Sequence, residues 1–328
     1  MLFSKMLKTV VLAAALLPTL PAHAAEKVRI GYWSSGVSLG FGAVLEASDF
    51  FKDQGLDVEY VRFPDVNAPL RALASNSIDL AFGAPAAGVF SSAAEGVPVK
   101  IFAATQPADV LFVVPKDSSI SSLGQFRDKK IGMSPAGSSV AVIAGAILSG
   151  NHGISTSDFS LVGGNEARLV QFLAQKQVDG AALRAVTVAQ FDELDVTPLG
   201  SFADEWQRLT NSKTVPYIGV GTVRTEYAEQ HPKAVAGVIA GLRNAVAWGN
   251  EHPDEAAAIM QKAANLPEQD ARAYAARWNS MYHISFEPED IATLKRQHEV
   301  FLASGMIKGS LDEALFDAEP YTLSKSLK

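Results

Sequence analysis

One short sequence pattern occurs twice in this chain, one hundred residues apart. The segments LASNSIDLAFG (73–83) and LAQKQVDGAAL (173–183) share the end of a helix, a polar turn and a short apolar strand. A second pair lies upstream, VRIGYWSSG (28–36) and KKIGMSPAG (129–137), and each member is a strand that breaks into a turn of small residues before a helix. Two copies of one α/β unit predict two similar lobes.

Strands and helices alternate in both copies, which predicts an α/β fold with a mainly parallel sheet flanked by helices in each lobe. Residues 25–112 and 216–328 are predicted to form lobe I, and residues 113–215 lobe II. The strand at 217–223 is predicted to pair with residues 111–115, so that two chain crossings make a hinge. Residues from 225 onward have helical patterns and are predicted to wrap lobe I.

The first 24 residues have the pattern of a secretory signal. Lys5 and Lys8 precede an apolar stretch at 10–20, and the sequence PAHA at 21–24 supplies an Ala-x-Ala end. The stretch is too short for a comfortable membrane span, although an uncleaved anchor is the alternative. We therefore expect cleavage after Ala24 and a periplasmic protein.

Composition narrows the classes of partner. The chain is 48% hydrophobic and 19% charged, as expected for a globular protein. Removing the two signal lysines changes the formal charge from -7 to -9, which gives no electrostatic support for nucleic-acid binding. The absence of cysteine excludes disulfides and thiolate chemistry. The expected partner is a small molecule or another protein.

Four loops are predicted to line one cleft between the lobes. In an open α/β sheet, ligands bind at the carboxyl ends of strands, where backbone amides lead into helices. The loops at these ends are 33–36, 83–86, 134–139 and 184–187. Glu166 is added because it follows the flexible turn at 163–165. The candidate ligand-binding residues are then Trp33, Ser34, Ser35, Gly83, Ala84, Pro85, Ser134, Gly137, Ser138, Ser139, Glu166 and Arg184.

Three of these positions each allow two interpretations. Ser138 and Ser139 start a helix, where they can hold an anionic or carbonyl oxygen or act as an ordinary cap. Arg184 ends an internal strand, where it can offer a guanidinium fork to an acidic ligand or pair structurally with Glu166 or Asp192.

Glu166 follows a flexible turn, whereas Trp33 lies within a polar one, and the two positions favour different roles. Glu166 can accept a hydrogen bond from a ligand amine or cap the helix that begins near Ala167, and capping is favoured. Trp33 lies inside a polar turn, which favours a ligand wall over the core.

Enzyme motifs are weak in this sequence. The run GMSPA (132–136) superficially resembles a nucleophile elbow, but it lacks the last glycine and has proline where an amide is needed. No phosphate loop or dinucleotide fingerprint is present. The histidines after the signal lack metal spacing: His152, His231, His252, His283 and His298. We predict no catalytic residue, no metal and no cofactor.

Several segments together resemble periplasmic solute-binding proteins of ABC importers. They are the signal, IGYW (30–33), LRALASNSID (70–79), GVPVKI (96–101), SSLGQFRDKKIG (121–132) and YAEQHPKAV (227–235). The resemblance covers nearly the whole mature chain and is strongest to the branch for nitrate, taurine, aliphatic sulfonates and thiamine-type pyrimidines. It implies a two-lobed periplasmic-binding-protein fold of type II, a small-molecule ligand held by the four loops, and an ABC permease as partner. We expect a monomer.

The resemblance has one departure that bears on the ligand. Many members carry an aromatic residue and a proline where this chain has Arg184, Ala185 and Val186. This difference favours a small organic anion, such as a sulfonate or taurine-like compound. The alternatives are a neutral or cationic pyrimidine held by Trp33 and Glu166, a sensory binding protein, and, with least support, an enzyme of the pyrimidine-synthase type.

Overall fold

Two five-stranded sheets form the centre of the protein, in a computed structural model that describes residues 25–190 and 195–327. The predicted signal peptide and Asp192 lie outside the described residues. The first sheet contains β1 (Glu26–Trp33), β2 (Leu56–Phe63), β3 (Leu80–Pro85), β4 (Val99–Pro107) and β10 (Tyr217–Arg224). The second contains β5 (Val110–Pro115), β6 (Lys130–Met133), β7 (Ser160–Gly163), β8 (Gly180–Arg184) and β9 (Val196–Ser201).

Helices flank both sheets. Those up to the return crossing are α1 (Gly36–Glu46), α2 (Ala68–Ala74), α3 (Ala86–Ala94), α4 (Ser139–His152), α5 (Glu166–Ala174), α6 (Ala185–Gln190) and α7 (Phe202–Thr210). Those of the C-terminal tail are α8 (Thr225–Gln230), α9 (Pro232–Glu251), α10 (Pro253–Ala263), α11 (Glu268–Ala276), α12 (Trp278–Met281), α13 (Pro288–Ala303) and α14 (Glu319–Ser324). Short 3₁₀ turns lie at Lys52–Gln54, Leu123–Phe126 and Glu313–Leu315. None of the helices in 25–190 and 195–327 has the length and apolar character that crossing a bilayer requires.

The two sheets have the same strand order. The first runs β2-β1-β3-β10-β4 and the second β7-β6-β8-β5-β9. In each sheet a single strand is antiparallel to its neighbours, β10 in the first and β5 in the second. Each of these two strands is the first one after the chain crosses between sheets. The α/β two-lobed fold predicted from the repeat is therefore confirmed.

The repeated turns adopt the same backbone conformation. Asn76 and Lys176, at equivalent positions one hundred residues apart, both have left-handed φ angles, 58° and 54°. Neither residue is glycine, and such a φ is uncommon for a side chain that branches from Cβ or carries bulk near it. The geometry of the turn, rather than the residue type, is what the two copies share.

The repeated aspartates make the same backbone contacts. Asp79 exchanges hydrogen bonds with the main chain of Arg29, donating from its own N–H and accepting on Oδ2, both at 2.9 Å. Asp179 does the same with Lys130 at 2.8 Å. These contacts pin the start of β3 to β1 and the start of β8 to β6. The repeat in the sequence is therefore a repeat of one strand junction.

The predicted pairing between residues 217–223 and 111–115 is wrong. β10 inserts between β3 and β4, while β5 lies between β8 and β9. Seven of the eight residues of β10 are buried, and such a strand is best accommodated at the centre of a sheet, where both edges find backbone partners. The chain therefore crosses between the lobes twice. The strand after the first crossing, β5, enters the second sheet, and the strand after the return crossing, β10, enters the first. The change of sheet falls between Pro107 and Val110.

The C-terminal tail reaches further than the sequence indicated. The helices α8, α9, α12 and α14 pack on strands of the first sheet, whereas α13 packs against α4 of lobe II. Phe301 of α13 contacts Phe90 on one side and Trp206 on the other, with ring centroids 6.3 and 6.2 Å apart. The tail therefore bridges both lobes at the hinge.

A carboxylate of α13 fixes the start of β10. Asp290 accepts hydrogen bonds from the Tyr217 hydroxyl at 2.5 Å, from Ser285 at 2.6 Å and from the Glu287 N–H at 2.8 Å. Burial alone would raise the pKa of Asp290, but these hydrogen bonds and one with His283 hold it well below its usual range. The folded state therefore favours the ionised carboxylate.

Replacing Asp290 by asparagine should reduce the acid sensitivity of the fold. Because the pKa is depressed on folding, the carboxylate stabilises the protein above its unfolded pKa, and this contribution is lost as the pH falls through the folded pKa. We expect Asp290→Asn to lower the free energy of unfolding by about 2 kcal/mol at pH 7 and by much less at pH 2. Urea titrations at pH 7, 4 and 2 measure this. Asp254→Asn, at a side chain 93% exposed, is the matched control, and an equal loss at all three pH values would contradict the prediction.

Candidate functional site

A small buried cavity lies between the lobes at the carboxyl ends of the strands. Its volume is about 20 Å³, close to the minimum that holds one water molecule. The lobes are therefore closed on each other in this structure, and a larger ligand requires them to part. The lining residues are Trp33, Ser38, Val66, Gly83, Pro85, Gln106, Ser134, Ser138, Ser139, Val140, Arg184 and Ile218.

Seven of the twelve predicted site residues line this cavity: Trp33, Gly83, Pro85, Ser134, Ser138, Ser139 and Arg184. They come from both lobes, as the repeat predicts. Their role in binding stays a prediction.

The other predicted residues lie next to the cavity rather than on its wall. Ser34 bonds the Phe63 carbonyl through its N–H at 2.8 Å and its hydroxyl at 2.9 Å, so it serves the junction of β1 and β2. Ser35 precedes α1 without a side-chain capping bond. Ala84 is buried in β3 opposite Val220 of β10.

Gly137 borders an open groove beside the cavity, together with residues of α2 and α3. Its φ is 80°, a left-handed value that favours glycine at this turn. The equivalent turn in lobe I has Gly36 with a φ of 56°. The two loops that lead into α1 and α4 therefore turn in the same way.

Ser138 and Ser139 have different contacts. The Ser138 hydroxyl accepts from the Ala141 N–H at 3.3 Å, which is the ordinary helix cap considered from the sequence. The Ser139 hydroxyl accepts from the N–H of Ala87 at 3.2 Å, across the cleft and in the first turn of α3. The N-termini of α3 and α4 thus meet at the cavity. Both helix ends carry partial positive charge, which favours an anionic group at this point.

Arg184 forms a buried ion pair with Glu166. One guanidinium nitrogen lies 2.6 Å from Glu166 Oε1, and the Arg184 backbone N–H donates to Oε2 at 3.2 Å. Arg184 is only 6% exposed, and its guanidinium carbon lies 5.6 Å from the ring centre of Trp33 in the opposite lobe. The Nε of Arg184 is buried without a hydrogen-bond partner among the described residues. Arg184 lines the cavity, and its Nε–H group is therefore a buried donor that the pair with Glu166 leaves unused.

The preferred interpretation of Glu166 as a helix cap is wrong. Asn165 caps α5, because its side chain accepts from the Arg168 N–H at 3.0 Å. Glu166 is the first helical residue, and its two oxygens both face Arg184. The structural pairing that the sequence left open for Arg184 is therefore present. The pairing with Asp192 lies outside the described residues.

Sequence reasoning missed five lining residues: Ser38, Val66, Gln106, Val140 and Ile218. The position of Gln106 at a strand end marks it as a candidate. It lies at the carboxyl end of β4, which is parallel to β1 and β3, so the rule that selected the four loops also applies to it. Ser38 and Val140 lie in the first turn of helices that follow predicted loops, and only packing directs them inward.

The tail contributes two tyrosines close to Arg184. Burial raises the pKa of Tyr274 on α11, and the charges of Arg184 and Glu166 act on it in opposite directions. Burial likewise raises the pKa of Tyr282, whose hydroxyl donates to the Val37 carbonyl at 2.6 Å. Both phenols therefore stay protonated at neutral pH.

The polar side chains of the cavity wall are serine hydroxyls, the Gln106 amide, the Trp33 indole and the Arg184 guanidinium. In 25–190 and 195–327, no group of three or more His, Asp or Glu side chains could hold a metal ion. The five histidines of this region are absent from the cavity wall. The geometry supports the capture of a small polar molecule between the lobes.

Two lobes closed over one cavity, each with a five-stranded sheet of the same order, define the periplasmic-binding-protein fold. A family model described as NMT1/THI5 like matches residues 43–256. Because the match spans well over half of the chain, the protein belongs to this family. The family relationship predicted from the sequence is thereby confirmed.

Solved structures with the same fold include sulfonate-binding proteins. The alkanesulfonate-binding protein SsuA from Xanthomonas axonopodis pv. citri, bound to MOPS, is similar with a TM-score of 0.70 and 21% identity, over 87% of this chain and 96% of that one. The periplasmic aliphatic sulphonate binding protein SsuA from Escherichia coli gives 0.69 and 19%, over 88% and 94%. At these identities the likeness shows the fold alone.

Two further relatives carry other activities in their names. A Haemophilus influenzae protein named for thiamine biosynthesis is 26% identical over 235 residues, which is 66% of this chain and 74% of that protein. The structure of the desulfurization enzyme DSZB has a TM-score of 0.65 and 13% identity, over 92% of this chain and 99% of that one. The fold is thus shared by binding proteins and by at least one enzyme.

Proposed function

We propose that this protein is the periplasmic solute-binding component of an ABC importer, and that it captures a small organic anion, with a sulfonate or taurine-like compound favoured. The observation that carries the anion is the meeting of two helix N-termini at the Ser139–Ala87 contact. A ligand oxyanion that takes the place of this contact receives backbone and hydroxyl donors from both lobes. Closure then depends on the ligand, and the closed form is delivered to the permease.

Arg184 supports this proposal in a limited way. Its charge is balanced by Glu166, so it adds a directed donor rather than net positive charge. The cavity therefore combines neutral hydrogen-bond donors with the Arg184–Glu166 ion pair, whose charges cancel. Such a site suits a ligand with a single negative charge, because neutral donors can stabilise one buried charge without additional cations.

Replacing Arg184 by methionine should weaken sulfonate binding. The change keeps the length of the side chain and removes the donors, so we expect about a tenfold to hundredfold rise in Kd for ethanesulfonate and taurine in titration calorimetry. The double variant Arg184→Met with Glu166→Leu, which leaves no unpaired charge, is the folded control. Unchanged affinity in both variants would show that Arg184 does not contribute to sulfonate binding. The proposed role of the two helix N-termini would not be affected by that result.

The second candidate ligand is a neutral or cationic pyrimidine. Two observations favour it: the name of the Haemophilus relative and the Trp33 ring on the cavity wall. The proposed partner for its amine, Glu166, does not line the cavity and has both oxygens engaged by Arg184. A thermal-shift screen that compares sulfonates, nitrate and aminopyrimidines distinguishes the two classes, because a ligand of the native state raises the melting temperature.

We propose binding rather than catalysis. Enzymes of the pyrimidine-synthase type depend on histidine and cysteine chemistry, whereas the cavity wall has no histidine and the chain has no cysteine. Neighbouring genes for a permease and an ATPase would favour import over sensing, and a neighbouring receptor gene alone would favour sensing.

A further inference from the structure

The end of β4 places a buried amide on the floor of the cavity. Gln106 is 4% exposed, and its Nε2 donates to the Ser38 hydroxyl at 3.2 Å. A primary amide has two donors and two acceptor positions. Among the described residues this is the amide's only hydrogen bond, so one N–H and the carbonyl oxygen remain for a ligand.

Two glycines leave room for this amide. A Cβ at Gly83 would lie 2.8 Å from Gln106 Nε2, and a Cβ at Gly219 would lie 2.5 Å from Gln106 Oε1. The register of β10 against β4 shifts on both sides of Gly219, which faces Gln106 in the ladder. Such bulges commonly lie beside binding sites, where they redirect a side chain. The backbone of β3 and of β10 is therefore shaped around one side chain.

Gln106 supplies the only side-chain carbonyl of the cavity wall. It is the only amide among the twelve lining residues, and the wall has no carboxylate. The hydroxyls of Ser38, Ser138 and Ser139 each already accept one hydrogen bond, so one of their two lone pairs is used while the O–H group can donate to a ligand. Ser134 adds a fourth hydroxyl to the wall. Arg184 only donates. A ligand that presents acceptors at every point would leave the Gln106 carbonyl without a partner.

We infer that Gln106 is a specificity-determining residue of the cleft, and that it selects small organic acids that carry an O–H or N–H donor at the end away from the acid group. This inference rests on the proposed function and narrows its ligand class. The acid lies at the two helix N-termini, and the donor bonds Gln106 Oε1. A plain alkyl end leaves a buried carbonyl unpaired, and buried polar sites discriminate strongly against such analogues.

Matched pairs of compounds test the inference by titration calorimetry. Isethionate and propanesulfonate are similar in size and differ in a terminal hydroxyl or methyl. 4-Amino-2-methylpyrimidine and 2,4-dimethylpyrimidine form the same kind of pair without an acid. In the wild type, the member with the donor should bind about tenfold or more tightly than its partner. In Gln106→Met, which keeps the length of the side chain, the difference should fall below about threefold.

Two further variants complete the experiment. Gln106→Glu keeps an acceptor, so it should retain the preference for the compound with the donor. Its negative charge should weaken the binding of both sulfonates by repulsion. This variant replaces Gln106→Met in the test if the methionine variant has a low melting temperature. Gln175→Met makes the same substitution at an exposed position of lobe II and should change nothing. A preference that is intact in Gln106→Met, or absent from both pairs in the wild type, overturns the inference. Failure of both sulfonates to bind overturns the proposed anion instead, and the pyrimidine pair still decides the role of Gln106.

Discussion

Replacing Glu166 by leucine is expected to lower the free energy of unfolding by about 3–5 kcal/mol, the range found when one partner of a buried ion pair is removed. The change leaves the Arg184 guanidinium buried at 6% exposure without a counter-charge. It also removes the acceptor of the Arg184 backbone N–H. Chemical unfolding at neutral pH, followed by tryptophan fluorescence, measures the loss.

A double substitution separates the charge from the packing. Glu166→Leu combined with Arg184→Met replaces the pair by apolar side chains of similar length, and such replacements are often close to neutral. We expect the double variant to recover to within about 2 kcal/mol of the wild type. Glu268→Leu is the matched control: it is also the first residue of a helix and pairs with an arginine, but its side chain is 65% exposed. A single-variant loss as small as that of the control would show that Arg184 reaches water in the resting state.

The repeated aspartates should differ in their contribution to stability although their sequence contexts match. Asp79 accepts four hydrogen bonds, three from Arg29 and one from Arg224, at 2.7–3.0 Å. Burial alone would raise the pKa of Asp79, but these bonds hold it below its usual range. Asp79→Asn removes the negative charge and one of the two acceptor oxygens that Arg29 and Arg224 share, and we expect a loss of about 3 kcal/mol at pH 7.

Asp179→Asn is the natural control for this prediction. Its carboxylate accepts one backbone hydrogen bond, from Lys130 at 2.8 Å, and it lies in an exposed environment. We expect a loss below about 1 kcal/mol, measured in parallel by urea titration. Because the pKa of Asp79 is lowered on folding, the gap between the two variants should close as the pH falls below the unfolded value of about 3.9. Equal losses at pH 7 would show that the shared backbone contact, and not the arginines, carries the stability.

Much of the fold was predictable because the repeat encodes local geometry. The apolar runs before Gly31 and Gly132 predict strands, and the turns at Asn76 and Lys176 predict where the next strand begins. The partner of β10 was not predictable in this way. Pairing between strands far apart in sequence depends on which sheet has an open central position. A run without polar alternation, such as YIGVGTV, carries no register information.

The candidate site was predictable to the extent that it is made of strand ends. That rule finds Trp33, Gly83, Pro85 and Arg184, because their positions follow from the order of the strands. It does not find the partner of Arg184. Glu166 precedes Arg184 by 18 residues, and their pairing depends on the packing of α5 beside β8. The same limit applies to Ser38, whose inward direction depends on how α1 lies against the sheet.

The insertion of β10 between β3 and β4 has a consequence for the order of folding. The strands of the second sheet lie between Val110 and Ser201, in one continuous stretch of the chain. The first sheet stays divided until Tyr217–Arg224 arrives, more than one hundred residues after β4. Contacts between such distant segments form late, because closing a long loop costs entropy before the pairing repays it. We therefore expect lobe II to acquire structure first, and lobe I to remain open to chaperones until the tail has emerged.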